Sequence, residues 1–406
     1  MKRFLLLLAI CLSLLVFAGC TGEKANVPIE YQWASTEGSQ INEAKAGEQF
    51  YFSVPVDEAM LERGAPIKIK VSGIVNHGTL RFELRSPDGK AVWNSGTIKP
   101  GEFSMNMTYG LPAGVTGTYT IGLVYSDNTS ASYNLSFYAF KLGLGVLLSG
   151  SGMILVSLGF ILYAARQHLL GWRYLLLGGL FWLLTVAVKF AFAIPVNPVV
   201  FQALGFSYEN IFSPANLVAY LYIGALTGIF EAGLAWLILS RVRWGRATWS
   251  QALVFGIGFG VIEALLLGLL SLSSGVFATI SPDALPAYTL GSLAMNSSLV
   301  MGTAPIFERL MVILAHIFSC VLIFYAIARG EARWAWLSIL YKTLLDTPAG
   351  FAQFWGVSGS PAKLWTIEAV IAVFGLIALL GTVWIARRYP QEAAQVPEPE
   401  SLPVSA

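Results

Sequence analysis

The chain has 406 residues, of which 56% are hydrophobic and only 12% are charged. Its mean hydropathy of +0.66 is too high for a water-soluble protein of this length and indicates a membrane protein. A net charge of +2, without a basic run or interleaved aromatic and basic residues, excludes nucleic acid as an expected partner. The expected partners are membrane lipids and a membrane peptide or exported protein.

The first 19 residues, "MKRFLLLLAICLSLLVFAG", are typical of a secretory signal. A basic start precedes an apolar core that is short for a membrane span, and small residues precede Cys20. The ending "FAGC" resembles a bacterial lipobox and predicts that Cys20 carries the lipid of a lipoprotein. The alternative is an ordinary cleaved signal followed by an unmodified cysteine. Cys11 lies in the signal and Cys320 in an apolar run, so no disulfide is expected.

Residues 20–47 are polar and Gly-rich and predict a tether between the lipid anchor and the first folded unit. From residue 48 to residue 138, apolar and polar residues alternate, as in "TLRFELRS" (79–86), which is typical of half-buried strands. Turn signals such as "SPDGK" (86–90) separate the alternating segments. The pattern predicts an antiparallel all-β sandwich of about seven strands, which binds or shields at the outer surface.

The sequence from residue 139 to residue 388 predicts a polytopic α-helical membrane domain. Its long apolar runs predict about seven spans, near residues 142–165, 172–194, 215–239, 249–272, 304–328, 334–352 and 364–386.

Arginine is concentrated on one side of these predicted spans. The turns after the first, third and fifth spans and the end of the seventh are Arg-rich, whereas Lys363 is the only basic residue in the opposite loops. Because cytoplasmic loops are enriched in Lys and Arg, this asymmetry predicts that the Arg-rich turns are cytoplasmic and the β domain lies outside the cell membrane. The Pro- and Glu-rich tail, residues 389–406, is then expected to be disordered and cytoplasmic.

Ionisable side chains are found inside the apolar runs. Each charged residue at the centre of a spanning helix costs about 2.5–3.5 kcal/mol on insertion scales, so it is a candidate functional residue or a member of an ion pair. Counting from the Arg-rich turns predicts one layer near the midplane that contains Glu231, His316, Lys342 and Asp346. Glu368, near the outer end of the last span, is expected to face the outer interface. The set is Lys189, Glu231, Glu263, Glu308, Arg309, His316, Lys342, Asp346 and Glu368.

One of these runs, "FERLMVILAH", resembles a motif of the YhfC-type intramembrane metalloproteases, distant relatives of the CAAX-protease-like membrane enzymes. The family pattern has a Glu-Glu-x-x-Arg helix, a Gly-His-Gly-x-x-Glu helix, a Glu-Arg helix followed by His, and a His-x-x-x-Asp helix. The chain matches the third of these in full, with Glu308, Arg309 and His316. The resemblance extends over about residues 142–388.

The other three motifs are matched in part. "GIFEAGLAW" keeps Glu231 but neither the second Glu nor the Arg of the first motif. "GIGFGVIEALLLG" keeps Glu263, but Phe259 stands where the family has His. "LYKTLLDTPAG" keeps Asp346, whereas Lys342 replaces the His of the fourth motif.

The resemblance implies a metal-dependent peptidase site, active or remnant. A hydrolytic zinc site needs three protein ligands and an open position for water. His316 is the one histidine that remains in the matched motifs, and Lys342 introduces a cation where a metal is expected. We therefore expect degenerate or lost peptidase activity, no cofactor and a buried ionic network. The positions of the site are Glu231, Glu263, Glu308, Arg309, His316, Lys342 and Asp346.

Two alternatives remain open. An active intramembrane metallopeptidase would bind zinc through His316 and Glu263, with Glu231 as a further ligand, and would use Glu263 or Glu308 to activate water. A carrier would use the charged layer for its substrate, although no paired broken helices or inverted repeat support it. In the leading interpretation the membrane domain binds a membrane peptide or protein, and the β domain is the outer recognition module.

Overall fold

The computed structural model of the chain describes residues 33–56, 58, 61, 66–139, 142–166, 171–281, 285, 287–358 and 360–390. The predicted signal, Cys20 and the predicted tail from residue 391 onward lie outside this part of the chain. The chain divides into two compact units. Of the described residues, the β unit contains those up to Val146 and those within Ser274–Leu299, and the helical unit contains those within Leu147–Ser273 and those from Val300 onward.

The β unit contains two antiparallel sheets. The strands found in the described residues are β1 Trp33–Glu43, β2 Gly47–Val56, β3 Ile67–His77, β4 Leu80–Arg85, β5 Ala91–Asn94, β6 Gly101–Tyr109, β7 Gly117–Tyr125 and β8 Thr129–Ala139. They form two four-stranded sheets with the orders β1-β8-β3-β6 and β2-β7-β4-β5. In β3 the buried residues Ile67, Ile69 and Val71 alternate with more exposed ones, so the period of two in the sequence corresponds to a strand.

Both sheets contribute to one hydrophobic core. Phe82 on β4 is fully buried, and its ring centroid lies 5.4 Å from that of Tyr133 on β8. The centroid of Phe103 on β6 lies 6.1 Å from that of Phe82. Because β4 belongs to one sheet and β6 and β8 to the other, these aromatic contacts join the two sheets.

The predicted boundary of the tether is wrong. Residues 20–47 include β1, which pairs with β8 along Trp33–Glu43, and β2 begins at Gly47. β1 is an edge strand that backbone hydrogen bonds hold to β8. These bonds form whatever the side chains are, so they do not require an apolar sequence. Its polar sequence "WASTEGSQINE" has no regular apolar alternation, and the pairing with β8 shifts register between Thr36 and Ser39. The pattern that predicts a half-buried strand is therefore missing from β1.

The helices continue beyond the predicted spans in several places. The described residues contain α1 Gly145–Arg166, α2 Trp172–Leu204, α3 Pro214–Leu239, α4 Trp249–Ile280, α5 Ala287–Met295, α6 Leu299–Arg329, α7 Ala332–Trp355 and α8 Pro361–Ala386. α2 passes its predicted end at residue 194 with Pro195 and Pro198 inside the helix. α3 includes a π-helical turn, Gly228–Gly233. α5 was not predicted; it belongs to the β unit, where it lies against β1 and β8.

Six helices of the described chain, α1, α2, α3, α4, α6 and α8, are long and apolar enough to cross a membrane. The chain is therefore a polytopic membrane protein with an N-terminal β-sheet region. The predicted sixth span corresponds to α7, whose 24 residues are also long enough to span a bilayer. Arg333, Lys342 and Asp346 make α7 less apolar than the other six.

α6 lies at the centre of the helical unit. Within its most apolar 18-residue window 89% is buried, against 22% to 56% in the other five apolar helices. A helix that is covered on all sides by protein can carry charged groups without exposing them to lipid. This position explains how α6 accommodates Arg309 and His316, which are 7% and 1% exposed.

We expect Phe82→Ala to destabilise the β unit by about 3–5 kcal/mol, because it removes a fully buried ring and leaves a cavity between the sheets. Hydrogen exchange of the β4 and β7 amides in the full-length protein measures this loss locally. The control is Thr97→Ala, an exposed position in the same unit, which should change stability by less than about 0.5 kcal/mol. Equal exchange in the two variants would show that the aromatic contacts do not hold the sheets together.

Candidate functional site

A continuous series of ion pairs and hydrogen bonds connects five helices of the helical unit. It begins with a lysine on α2 and a glutamate on α3, passes through α7, and ends with residues of α6 and α4. In order of contact, this ion-pair chain consists of Lys189, Glu231, Lys342, His316, Glu263, Arg309 and Glu308.

Glu231 on α3 is held between two lysines. Its Oε1 lies 2.5 Å from Nζ of Lys189 on α2, and its Oε2 lies 3.0 Å from Nζ of Lys342 on α7. Lys189 also donates a hydrogen bond of 3.4 Å to the hydroxyl of Thr227. Glu231 and Lys342 are 5% and 2% exposed, so both charges are removed from lipid and water. Each oxygen of this carboxylate therefore pairs with a different ammonium group.

The local backbone of α3 brings Glu231 to these partners. Glu231 lies in the π-helical turn Gly228–Gly233, a feature that inserts an extra residue into a helix and is frequent at functional sites. Gly224 and Gly228 are four residues apart and face α7, and a Cβ added to Gly228 would lie 2.5 Å from the carbonyl oxygen of Ile339. Such small residues allow two membrane helices to approach closely. Glu231 can then reach Lys342 across the interface of α3 and α7.

Glu263 on α4 is the second carboxylate at the centre of the network. Its Oε2 lies 2.7 Å from Nε2 of His316 and accepts a hydrogen bond of 2.9 Å from Nε1 of Trp182 on α2. Its Oε1 pairs with the guanidinium group of Arg309 on α6. The same guanidinium pairs with Glu308, so one arginine is shared by two carboxylates.

Glycine and phenylalanine on α4 fix the position of His316. A Cβ added to Gly260 would lie 3.2 Å from Cβ of His316 and 3.1 Å from Cα of Ile313, so a larger residue would push α6 away. Phe259, where the family motif has histidine, is 2% exposed. Its ring centroid lies 5.1 Å from that of His316. An aromatic ring thus packs beside the imidazole at the place where the family pattern provides a second histidine.

His316 joins the two halves of the ion-pair chain. Nζ of Lys342 lies 3.4 Å from Nδ1 of His316, and an ammonium group can only donate a hydrogen bond. Nδ1 is therefore the acceptor, and Nε2 carries the proton that it donates to Glu263. This assignment makes the imidazole neutral. The three cations of the ion-pair chain, Lys189, Lys342 and Arg309, are then balanced by the carboxylates Glu231, Glu263 and Glu308.

The structure places the remaining ionisable residues outside the ion-pair chain. Asp346 lies one helical turn from Lys342 on α7, is half-buried and interacts with it electrostatically. Within the described residues Asp346 makes no ion pair or hydrogen bond. Glu368 on α8 was expected to face the outer interface, but it is 2% exposed. The expectation is wrong because the face of α8 that carries Glu368 is covered by protein.

Sequence reasoning did not assign Lys189 or Trp182 to the site. These residues are seven apart and therefore lie on the same face of α2, where each donates a hydrogen bond to a carboxylate of the network. That spacing, together with the position of Lys189 in the middle of an apolar run, is the signal that could have identified both.

The possible metal ligands all have cationic or N–H partners. Glu231 pairs with two ammonium groups, Glu263 with a guanidinium group and two N–H donors, and His316 uses both ring nitrogens. Metal ligands must offer deprotonated atoms with free lone pairs. Among the described residues, no three His, Cys, Asp or Glu side chains are arranged to hold a metal ion. The donor set therefore does not fit the zinc site that the alternative interpretation requires.

We expect Lys342→Met to destabilise the helical unit by about 3–5 kcal/mol, because it leaves Glu231 with one ammonium partner and His316 without a donor to Nδ1. Thermal unfolding in nanodiscs measures the loss. The matched variant is Lys342→Met with Glu231→Gln, which restores the charge balance and should recover part of the stability. The single variant Glu231→Gln completes the comparison. A loss in the double variant equal to the sum of the losses in Lys342→Met and Glu231→Gln would contradict a coupled pair.

Comparisons with known proteins agree with the motifs of the helical unit. A family model described as YhfC intramembrane metalloprotease matches residues 152–372. The chain is also 28% identical over 184 residues to the protein described as "Uncharacterized membrane protein YhfC" from Bacillus subtilis (strain 168), a match that covers 41% of this chain and 67% of that protein. The family match covers α2, α3, α4, α6 and α7 completely and with them every residue of the ion-pair chain. The chain belongs to the YhfC intramembrane metalloprotease family.

Proposed function

We propose that this chain is a YhfC-family membrane protein in which an ion-pair network has replaced metal-dependent peptide hydrolysis, and that it binds a membrane peptide or an exported protein without cutting it. The observation that carries the proposal is the position of Lys342, whose ammonium group lies between Glu231 and His316. Both are residues that a metal would need as ligands. A positive charge is thus already provided between them by the chain itself.

The chemistry of peptide hydrolysis supports this interpretation. A catalytic metal needs an open coordination position that holds a water molecule and lowers its pKa towards about 7. A general base must also be free to accept a proton from that water. Glu263 already accepts from Trp182 and His316 and pairs with Arg309, so it is poorly suited to either task. The network is better suited to holding five helices in register around a bound partner.

An active intramembrane metallopeptidase is the alternative, and membership of the family favours it. Its site would consist of Glu231, Glu263 and His316, with Glu308 or Glu263 as the base. For this site to form, Lys342 would have to leave both Glu231 and His316, because its ammonium group would repel a divalent ion. The two proposals therefore differ in the positive charge that lies between Glu231 and His316. It is the ammonium group of Lys342 in the first and a metal ion in the second.

The placement of the chain in the membrane is part of the proposal. A signal and a lipid on Cys20 would export the N-terminus, and the Arg-rich turns after α1, α3 and α6 would lie in the cytoplasm. The β unit would then be extracytoplasmic and available to recognise an exported partner. Both the lipobox-like "FAGC" and the arginine asymmetry support this one orientation.

We expect the purified wild-type protein to contain no stoichiometric zinc and to release no product from reconstituted single-span peptides. Elemental analysis and mass spectrometry of the peptides measure these two properties. His316→Ala is the matched variant, since it removes the one histidine that could bind zinc within the motifs. Zinc that is present at one ion per wild-type chain and lost in the variant, together with cleavage that a chelator stops, would overturn the proposal and establish the peptidase.

We expect Phe259→His with Lys342→His to create zinc binding that the wild type lacks, because the two changes restore the histidines of the family pattern around His316. Zinc titration by calorimetry should show about one site per chain with an affinity at least about 100-fold above that of the wild type. Phe259→Tyr with Lys342→Gln is the control, since it disturbs the same positions without adding ligands. Equal affinities in all three proteins would show that these positions do not correspond to a metal site.

We expect Cys20→Ala to lose an acyl modification that the wild type acquires in a bacterial host, because the lipid is attached to the sulfur atom of the cysteine. Mass spectrometry of the N-terminal peptide and radiolabelled palmitate incorporation measure it. Cys11→Ala, which lies in the predicted signal, is the control and should keep the modification. A wild-type N-terminal peptide without an acyl group would remove the lipid anchor from the proposal.

A further inference from the structure

Five exposed arginines lie at one end of the helical unit, where α3 and α8 end and α4 begins. Three of them are in the turn between α3 and α4, and two directly follow α8. Because these three helices are long and apolar enough to cross a membrane, we expect their ends to lie at the depth of the lipid headgroups. This arginine cluster consists of Arg241, Arg243, Arg246, Arg387 and Arg388.

A hydrogen bond and an aromatic contact join the two segments of the arginine cluster. The hydroxyl of Tyr389, the residue after Arg388, donates a hydrogen bond of 2.9 Å to the carbonyl oxygen of Ala247, the residue after Arg246. The ring centroid of Tyr389 also lies 5.7 Å from that of Trp249 at the start of α4. Tyr389 is buried, so both contacts belong to the packed core of the helical unit. The two segments are therefore held side by side and form one basic surface.

Within the described residues, no carboxylate pairs with the arginine cluster. The guanidinium group of Arg241 donates a hydrogen bond of 2.6 Å to the carbonyl oxygen of Leu237, and that of Arg388 lies 4.2 Å from the ring centroid of Trp384. The side chains of the other three arginines make no ion pair or hydrogen bond with this part of the chain. The positive charges of the cluster are thus left without a negative partner there.

The neighbouring basic turn, between α6 and α7, does have such a partner. Arg329 and Arg333 both pair with Glu331, at distances of 3.2 Å and 2.5 Å. This turn lies at the same end of the helical unit, since the ring centroid of Trp334 on α7 lies 5.6 Å from that of Trp384 on α8. The two basic segments therefore differ in pairing, although they lie at the same end.

The chemistry of the arginine cluster fits the phosphate of a lipid headgroup. Guanidinium groups bind phosphate oxygens through paired N–H donors. Trp244 in the turn and Trp384 on α8 are 46% and 40% exposed, and tryptophan is enriched at the headgroup level of membranes. We propose that the arginine cluster binds the headgroup of an anionic phospholipid. The site does not depend on the proposed function, because none of its residues belongs to the ion-pair chain.

The test is native mass spectrometry of the full-length protein in detergent, titrated with phosphatidylglycerol, with phosphatidylcholine or with inorganic phosphate. The test variant is Arg243→Gln with Arg246→Gln, whose side chains make no contact that the fold needs. Arg387→Gln tests the second segment of the cluster. The matched control is Arg329→Gln with Arg333→Gln, which removes the same number of positive charges from the paired turn at the same end.

We expect the wild type to bind phosphatidylglycerol at least about 10-fold more tightly than phosphatidylcholine, and not to bind inorganic phosphate at the same concentrations. The test variant should bind phosphatidylglycerol about 10- to 30-fold more weakly and Arg387→Gln about fivefold more weakly, since each basic residue near a membrane surface contributes about that factor. Binding of phosphatidylcholine should not change, which shows that the variants are folded. The control should bind both lipids as the wild type does.

Equal binding of the two lipids by the wild type would overturn the proposal. It would indicate that the arginines are neutralised elsewhere in the chain, where residues 391–406 include Glu392, Glu398 and Glu400. Inorganic phosphate that binds as tightly as phosphatidylglycerol would overturn it as well, because the ligand would then be a free anion. An equal loss in the test variant and the control would also contradict it, because net charge and not the arginine cluster would then determine binding.

Discussion

The arrangement of the helical unit depends on the contacts that the ammonium group of Lys342 makes with Glu231 and His316. This group lies 3.0 Å from Glu231 on α3 and 3.4 Å from Nδ1 of His316 on α6, so one side chain of α7 connects three helices. Through His316 the contact extends to Glu263 on α4 and from there to Trp182 on α2. In an interior of low dielectric constant, charges of this kind persist only when each has a partner. The network therefore restricts which relative positions of the helices are stable.

Close approach of the helix backbones makes these contacts possible. Gly228 on α3 and Gly260 on α4 face α7 and α6 at distances that leave no room for a side chain without displacement. The π-helical turn around Glu231 and the buried position of α6 complete the arrangement. The glycines that α4 shares with the family motif consequently have a role in packing that does not require a metal. Charge pairing and small-residue contacts hold these helices together without histidine at position 259 or 342.

Much of the site could be predicted from the sequence, because a charged residue inside an apolar run is stable only if it is covered by protein and paired with another polar group. Glu231, Glu263, His316 and Lys342 were expected to form a buried ionic network, and the structure brings them together. Glu368 could not be placed in the same way, because the face of a helix that is buried depends on its neighbours and not on its own sequence. α8 is apolar on all sides, so its sequence does not distinguish a lipid-facing position from a protein-facing one.

The parts of the fold that sequence reasoning missed have a weak apolar pattern. β1 is polar and held by backbone pairing, and α5 is a helix of nine residues in a segment between two spans. The π-helical turn in α3 has no simple signature in "GIFEAG" beyond its glycines. Secondary structure of this kind is decided by tertiary contacts, which hydropathy and periodicity do not record.

The tautomer of His316 tests most directly whether Lys342 provides the positive charge at this site. Nitrogen NMR of isotopically labelled histidine, with His316→Gln to assign the signal among the three histidines of the chain, measures it in the wild-type protein. We expect a neutral ring that is protonated on Nε2 and accepts a hydrogen bond at Nδ1 from Lys342. A metal-bound ring nitrogen, or a ring protonated on Nδ1, would contradict this assignment.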